Sequence, residues 1–274
     1  MCLLYVIGVI LLLFIIPKTR PHVRYFVGYF SFAFIVLTGA IVYSVIFFIR
    51  DGPRYENSCT FIKVYKLARL SMGLQPRIYG LETYDKDRQC VYVCNHQSFV
   101  DVLSLCDVWK YPSTVIAKNS LKYFGSLGAI LYFTKVILIH RGDHAKALSE
   151  MQRTAEIIKN DKVNLFMFPE GTRNHNGEML PFKKGAFHLA IQTQLPIQPV
   201  VISCYNSFLN HKNFSLDPVP YGIYLLPPIE TKGMDASHVD ELIEKTHSAM
   251  REVFALTAKA SREDVGKDLR VKAQ

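Results

Sequence analysis

The 25 residues from Tyr25 to Ile49 carry no charge. At about 1.5 Å per residue a helix over this stretch reaches roughly 37 Å, enough to cross a hydrocarbon core near 30 Å. Whatever the rest of the chain folds into is therefore arranged beside a lipid phase. A second apolar run, Cys2 to Ile16, reaches only about 22 Å as a helix. It is read as a short span, a re-entrant leg or a signal-peptide core. No positive region precedes Leu3 and no small-residue cleavage site follows Ile16, which makes a cleaved signal the weakest of the three. Between the runs lies a basic hinge, Pro17-Lys18-Thr19-Arg20-Pro21-His22-Val23-Arg24. The expectation is a two-helix membrane anchor over residues 1–52.

Orientation follows from the flanking cations. Lys18, Arg20 and Arg24 load the hinge, whereas Arg50, Arg54, Lys63, Lys66 and Arg69 follow the second run. The positive-inside count favours the later cluster and hence a cytosolic domain. Either two spans or a one-leaflet hairpin keeps the two ends of the chain on that side. The sequon Asn213-Phe214-Ser215 is then expected to stay unmodified, because glycosylation requires a lumenal domain.

The 274 residues suffice for one large α/β domain in addition to the anchor, and the net charge of +9 with half the residues apolar indicates an anionic, membrane-associated setting. No nucleic-acid partner is expected. The six cysteines (Cys2, Cys59, Cys90, Cys94, Cys106, Cys204) show neither paired C-x-x-C spacing nor His/Cys ligand spacing, so no metal site and no disulfide framework is expected.

Beyond residue 53 a basic, mildly amphipathic helix to about residue 75 is expected, either lying on headgroups or packed as an ordinary helix. Strands are expected at 76–79, 89–94, 114–117, 136–139, 163–168, 197–203 and 222–226. Helices are expected at 121–134, from Asp143 through Ile158, at 184–193 and at 236–258. The stretch 121–139 is broken by Lys122, Gly125, Gly128 and Lys135, which rejects it as a third span. Alternation of strands and helices implies an α/β fold with a largely parallel, helix-covered sheet over residues 53–260. The charged tail 261–274 is expected to fray.

The chemistry is concentrated where Gln89–Cys94 feeds a helix beginning near Phe99. On one continuous helix His96 and Asp101 would stand roughly 140° apart around the axis, so His96 is placed in the turn before it. An imidazole suits proton removal at neutral pH, and a carboxylate on its second nitrogen fixes the tautomer. The competing reading is structural: Ser98 and Asp101 also resemble a capping box. Three further segments follow later strands. His140-Arg141-Gly142-Asp143 offers a guanidinium fork to a phosphate or a surface ion pair with Asp143. In Phe168-Pro169-Glu170-Gly171-Thr172-Arg173, Gly171 permits close backbone approach, Arg173 is a permanent bidentate cation, and Glu170 is able to aim that arginine or receive a hydroxyl. Lys183 and Lys184 add two ammonium groups at a helix N-terminus. Pro196–Val201 is read as core strand or chain-binding wall.

In their order and residues, Asn95-His96 through Asp101, the Arg141 segment, Phe168 through Arg173 and Pro196 through Val201 resemble the four blocks of the glycerolipid acyltransferases, specifically the 1-acyl-sn-glycerol-3-phosphate acyltransferases. The likeness spans most of residues 75–205, and its most specific part is Glu170 to Phe187. Lys135, His140 and Ser120 stand where the family frequently has a glycine, an acid and an acid. The resemblance implies the glycerolipid acyltransferase fold and transfer from acyl-CoA, a co-substrate rather than a cofactor, to lysophosphatidic acid. It implies His96 as general base on the sn-2 hydroxyl with Asp101 as its partner. Lys118, Arg141, Glu170, Gly171, Thr172 and Arg173 would hold the acceptor phosphate. Membrane lipids are the remaining partner, and the endoplasmic reticulum the expected location, in keeping with a basic end, Arg270-Val271-Lys272-Ala273-Gln274, that weakly resembles a retrieval signal.

Overall fold

The structure, a computed structural model, describes residues 13–50, 52–85, 87–140 and 144–270, with backbone alone for 144–148. Of the first apolar run only Leu13 to Ile16 fall within this range; the helix expected over the preceding residues and the Asp143 cap lie outside it. The second run is the helix α1, Arg20–Arg50. Its buried residues Tyr25, Gly28, Val36, Ala40, Ser44 and Phe47 recur at helical spacing, and Phe26, Phe30, Phe34, Ile41, Val45 and Phe48 stand exposed on the other side. The buried stripe packs on α2 (Glu56–Ser71) and α4 (Gly125–Phe133). Of the two expectations for α2 the packed helix holds, since Phe61, Val64 and Ala68 are buried. Gly39 makes the α1–α2 approach possible: a Cβ there would lie 2.6 Å from Val64 Cγ1.

Seven strands form one sheet: β1 (Gln75–Tyr79), β2 (Val91–Cys94), β3 (Ser113–Lys118), β4 (Ile137–Ile139), β5 (Asn164–Met167), β6 (Ile197–Ile202) and β9 (Pro220–Leu225), in the order β1-β9-β6-β2-β5-β3-β4. The run β6-β2-β5-β3-β4 is parallel throughout, whereas β9 pairs antiparallel with β6 and parallel with β1. Sequence alternation sets the two faces. Tyr92 and Cys94 point into the core shared with α1 and α2; Val91 and Val93 point into the core beneath α6 (Gly185–Thr193) and α7 (Val239–Lys259). The helix α5, His144–Asn160, covers β4 and β5 through Ala155 and Ile158. On the α1 side, Phe166 of β5 is sandwiched between Tyr92, at 4.3 Å between ring centroids, and Trp109, at 5.0 Å.

Four details depart from the sequence pattern. The helix following β2 is only the short α3, Asp101–Leu105. The stretch 121–134 divides into a 3-10 turn, Asn119–Tyr123, and α4, with Gly125 at φ +48° in the break. A two-stranded ribbon, β7 (Leu209–Asn210) with β8 (Ser215–Leu216), had no periodic signal because each strand is two residues long. The tail through Arg270 does not fray: Val265 and Leu269 are buried, Tyr79 and Tyr224 donate their hydroxyls to the Gly266 and Lys267 carbonyls, and Gly222 N–H donates to Val265 O at 3.1 Å. The outer strands β9 and β1 thus hold the tail by its backbone, a partner that composition does not show.

The close α1–α2 contact yields a test. Gly39→Leu should lower stability by roughly 2 kcal/mol through overpacking against Val64, read as a lower melting temperature in detergent, with Gly39→Ala the milder change.

Candidate active site

Because β2, β3, β4 and β5 are parallel, their C-terminal ends open on one edge of the sheet, and the loops carrying the chemistry meet there. The turn after β2 is pinned first by amides. Asn95 donates from Nδ2 to Ile202 O and accepts from Ile202 N–H on Oδ1, while Gln97 Nε2 donates to Ser203 O at 2.9 Å and Gln97 Oε1 accepts from Tyr205 N–H. Both amide side chains are buried. They fix the turn to the end of β6 and leave His96 pointing outward.

His96 Nδ1 lies 2.8 Å from Asp101 Oδ2. That same oxygen accepts from the backbone N–H of Gln97 at 2.7 Å and of Ser98 at 2.9 Å. One carboxylate oxygen therefore makes both the amide-capping contacts and the contact to the imidazole, which lies in the turn as the sequence predicts. Asp101 is fully buried, so these three donors on Oδ2 replace part of the water that its charge gives up, while Oδ1 has no hydrogen-bond partner among the described residues. With Nδ1 directed at Asp101, Nε2 is the free end of the base. The ring is set by Phe168, stacked on it at 4.1 Å and 19°. Nothing in the sequence marked Phe168 as a partner of His96, because the contact crosses from the end of β5 to the end of β2.

The loop after β5 is fastened to the same turn. Glu170 Oε1 accepts from His96 N–H at 2.7 Å and Oε2 from Leu180 N–H at 2.9 Å, and Asn174 N–H donates to His96 O at 2.9 Å. Glu170 is buried, and burial raises its carboxyl above the ordinary value against the opposing pull of the two amide donors. It is a clamp between two loops and is not among the residues that border the cavity. Gly171 has φ +69°, a conformation that calls for glycine, and the Lys183 side chain lies close over it, with Nζ 2.7 Å from where a Cβ would stand.

A cavity of about 1150 Å³ opens beside His96. Lys118, Thr172, Arg173, His175 and Lys183 border it and are exposed, which makes its rim cationic. Its interior is apolar, walled by Phe32, Val36 and Leu37 of α1, Phe61 and Tyr65 of α2, and Ile130 of α4. Of the residues that the resemblance assigns to the acceptor phosphate, Lys118, Gly171, Thr172 and Arg173 line this cavity; Arg141 lies outside the described residues. Lys183 joins the rim, a position the sequence signalled only as one of two adjacent lysines. Lys184, the other, pairs with Asp240 at 2.7 Å instead. Cys94 is buried, and burial pushes its thiol well above its ordinary value. Among the described residues no three His, Cys, Asp or Glu side chains are grouped to hold a metal ion.

An oriented imidazole between a cationic rim and an apolar chamber is suited to activating a hydroxyl on a molecule that is anionic at one end and hydrocarbon at the other. Residues 75–203 match the family model described as Acyltransferase, so this part of the chain is an acyltransferase domain. The chain is 32% identical to human 1-acyl-sn-glycerol-3-phosphate acyltransferase beta, covering 93% of this chain and 92% of that protein. It is 36% identical to the human alpha form over 74% of this chain and 72% of the other. The fold matches the crystal structure of the 1-acyl-sn-glycerophosphate (LPA) acyltransferase PlsC from Thermotoga maritima with a TM-score of 0.69 at 21% identity, covering 86% of this chain and 95% of that one. The chain belongs to the 1-acyl-sn-glycerol-3-phosphate acyltransferase family and is an acyltransferase.

The clamp predicts that Glu170→Gln, which keeps size but leaves one of the two amide donors facing an NH₂ group, lowers kcat by about tenfold or more with a smaller change in KM. Steady-state kinetics against both substrates will separate the two parameters.

Proposed function

We propose that the protein transfers an acyl group from acyl-CoA to the sn-2 hydroxyl of 1-acyl-sn-glycerol 3-phosphate, giving phosphatidic acid. The observation that carries this reading is the placement of the His96–Asp101 pair at the junction of the cationic rim and the apolar chamber. The acceptor's phosphate is assigned to Arg173, Lys118 and Lys183, and acyl chain to the chamber walled by α1, α2 and α4. His96 Nε2 takes the proton of the sn-2 hydroxyl as its oxygen attacks the thioester carbonyl. Asp101 stabilises the imidazolium that results. Collapse of the tetrahedral adduct breaks the carbon–sulfur bond, and the thiolate of coenzyme A leaves with the proton from His96. The thioester is activated enough that the scheme calls for no cofactor.

Membrane engagement follows from how α1 sits. Near its start Tyr25 meets Phe214 of the ribbon, and near its end Phe47 meets Phe133 of α4. A helix of about 46 Å that is flanked by the domain near both ends would draw strands and loops into hydrocarbon if it crossed the bilayer upright, which their backbone polar groups oppose. We therefore read α1 as lying in one leaflet with its exposed aromatic face toward lipid, and the cavity it walls as filled from that leaflet. The cytosolic face of the endoplasmic reticulum is the proposed location, since acyl-CoA is made in the cytosol and the cations after Ile49 favour that side.

The experiment is an acceptor panel with labelled acyl-CoA on detergent-purified protein, expected to give phosphatidic acid from lysophosphatidic acid ahead of glycerol 3-phosphate or other lysophospholipids. In the same assay His96→Ala should abolish transfer with the fold intact, and Arg173→Ala should raise the acceptor KM roughly thirtyfold, the equivalent of about 2 kcal/mol for a charge-assisted contact, with partial rescue by Arg173→Lys. Preference for another acceptor, or equal weakening toward both substrates in Arg173→Ala, would overturn the assignment.

A further inference from the structure

One imidazole that takes no part in the proposed chemistry touches both the membrane-facing helix and the catalytic turn. His211 sits in the loop between β7 and β8, where Asn210 Oδ1 accepts from the backbone N–H groups of Lys212 and Asn213. Its Nδ1 lies 3.1 Å from the Tyr25 hydroxyl and 3.4 Å from the Tyr29 hydroxyl, both on α1. Its Nε2 lies 3.2 Å from the hydroxyl of Ser98. Ser98 is fully buried and gives its backbone N–H to the Asp101 oxygen that orients His96. On its remaining flank the His211 ring meets that of His175, a residue of the cavity rim, at 4.4 Å.

The surroundings make this joint stiff. Tyr29 and Phe32 of α1 each contact Phe99, the residue after Ser98, at 4.9 Å between ring centroids. Phe214, beyond His211 in the ribbon, packs on Tyr25 and Phe26, and its carbonyl is 3.1 Å from His22 Nδ1. Arg24 pairs with Asp217 just past β8. Burial, with the neighbouring His175 and Arg173, holds His211 below its ordinary pKa against the opposing pull of Asp101. At neutral pH it is an uncharged ring whose two nitrogens join hydroxyls on two different elements.

Building on the acyltransferase reading above, we propose that His211 is a positioning residue: by joining Tyr25 and Tyr29 to Ser98 it sets the catalytic turn in the register that α1 adopts against the lipid leaflet. The base is then fully aligned only when α1 is seated on the ribbon. This coupling acts on turnover, because His211 contacts the turn through Ser98 and meets the rim only at the His175 ring, not at the rim cations.

Two measurements test it. In the transfer assay His211→Phe, which keeps the aromatic contacts and removes both nitrogens, should lower kcat about tenfold, the scale of one lost positioning hydrogen bond, while KM for acceptor and acyl-CoA stays within about twofold. His211→Gln should recover most of that loss, and Tyr25→Phe/Tyr29→Phe should reproduce it without adding to it. In parallel, amide hydrogen exchange at residues 98–101 should speed up in His211→Phe and in the double tyrosine variant while β2 and β5 stay protected. Unchanged kcat and unchanged exchange would overturn the proposal, as would a loss that tracks melting temperature alone and is not rescued by glutamine. If His211→Phe does not fold, the double tyrosine variant decides. The exchange result stands even where the unaltered protein acylates a different acceptor, so failure of the coupling and failure of the acceptor assignment remain distinguishable.

Discussion

The buried carboxylate of Asp101 is the constraint from which the site follows. A fully buried anion is tolerated only where donors replace its hydration, and here one oxygen collects His96 Nδ1, Gln97 N–H and Ser98 N–H. Bringing donors to that oxygen folds residues 96–98 back over the start of α3, and the fold-back leaves His96 Nε2 as the outward end of the ring. Capping of the turn and orientation of the imidazole are thus made at the same carboxylate oxygen. A substitution that removed one would remove the other.

Around this centre buried polar side chains hold the loops together. Asn95 and Gln97 tie the turn to the end of β6, and Glu170 ties it to the loop after β5. Each carries two or more hydrogen bonds in a dry environment, where losing one partner is costly because the group left behind stays desolvated. The sheet contributes direction: parallel strands deliver their loops to one edge, so a clamp from each neighbour is enough to assemble the rim.

The helix α1 links cavity and turn. Its inner stripe supplies Phe32 and Val36 to the chamber, and its outer face presents Phe30, Phe34 and Phe48 to the surroundings. On the proposed seating of α1 in one leaflet, an apolar chamber walled by that helix would shorten the path of a lipid substrate, since its chain would not leave an apolar medium. The contacts of Tyr29 and Phe32 with Phe99 place the same helix against the catalytic turn.

The sequence by itself determined the class of fold, the position of its strands, the His96–Asp101 pair and most of the cationic rim, because hydrophobic period, β-branched runs and turn residues act within a few neighbours along the chain. It also carried the length and apolar character of α1. Only the tertiary structure decided that Glu170 joins the His96 and Leu180 amides, that Phe168 stacks on His96, that Lys183 and not Lys184 joins the rim, and that the tail docks. Each of these depends on contacts between segments far apart in sequence, where the same carboxylate, ring or ammonium has several possible partners. The antiparallel turn of β9 belongs with them: alternation fixes which residues face a core, but not the direction in which a strand enters the sheet. His211 is the clearest case, a lone histidine in a short ribbon whose meaning lies entirely in Tyr25, Tyr29 and Ser98 on other elements.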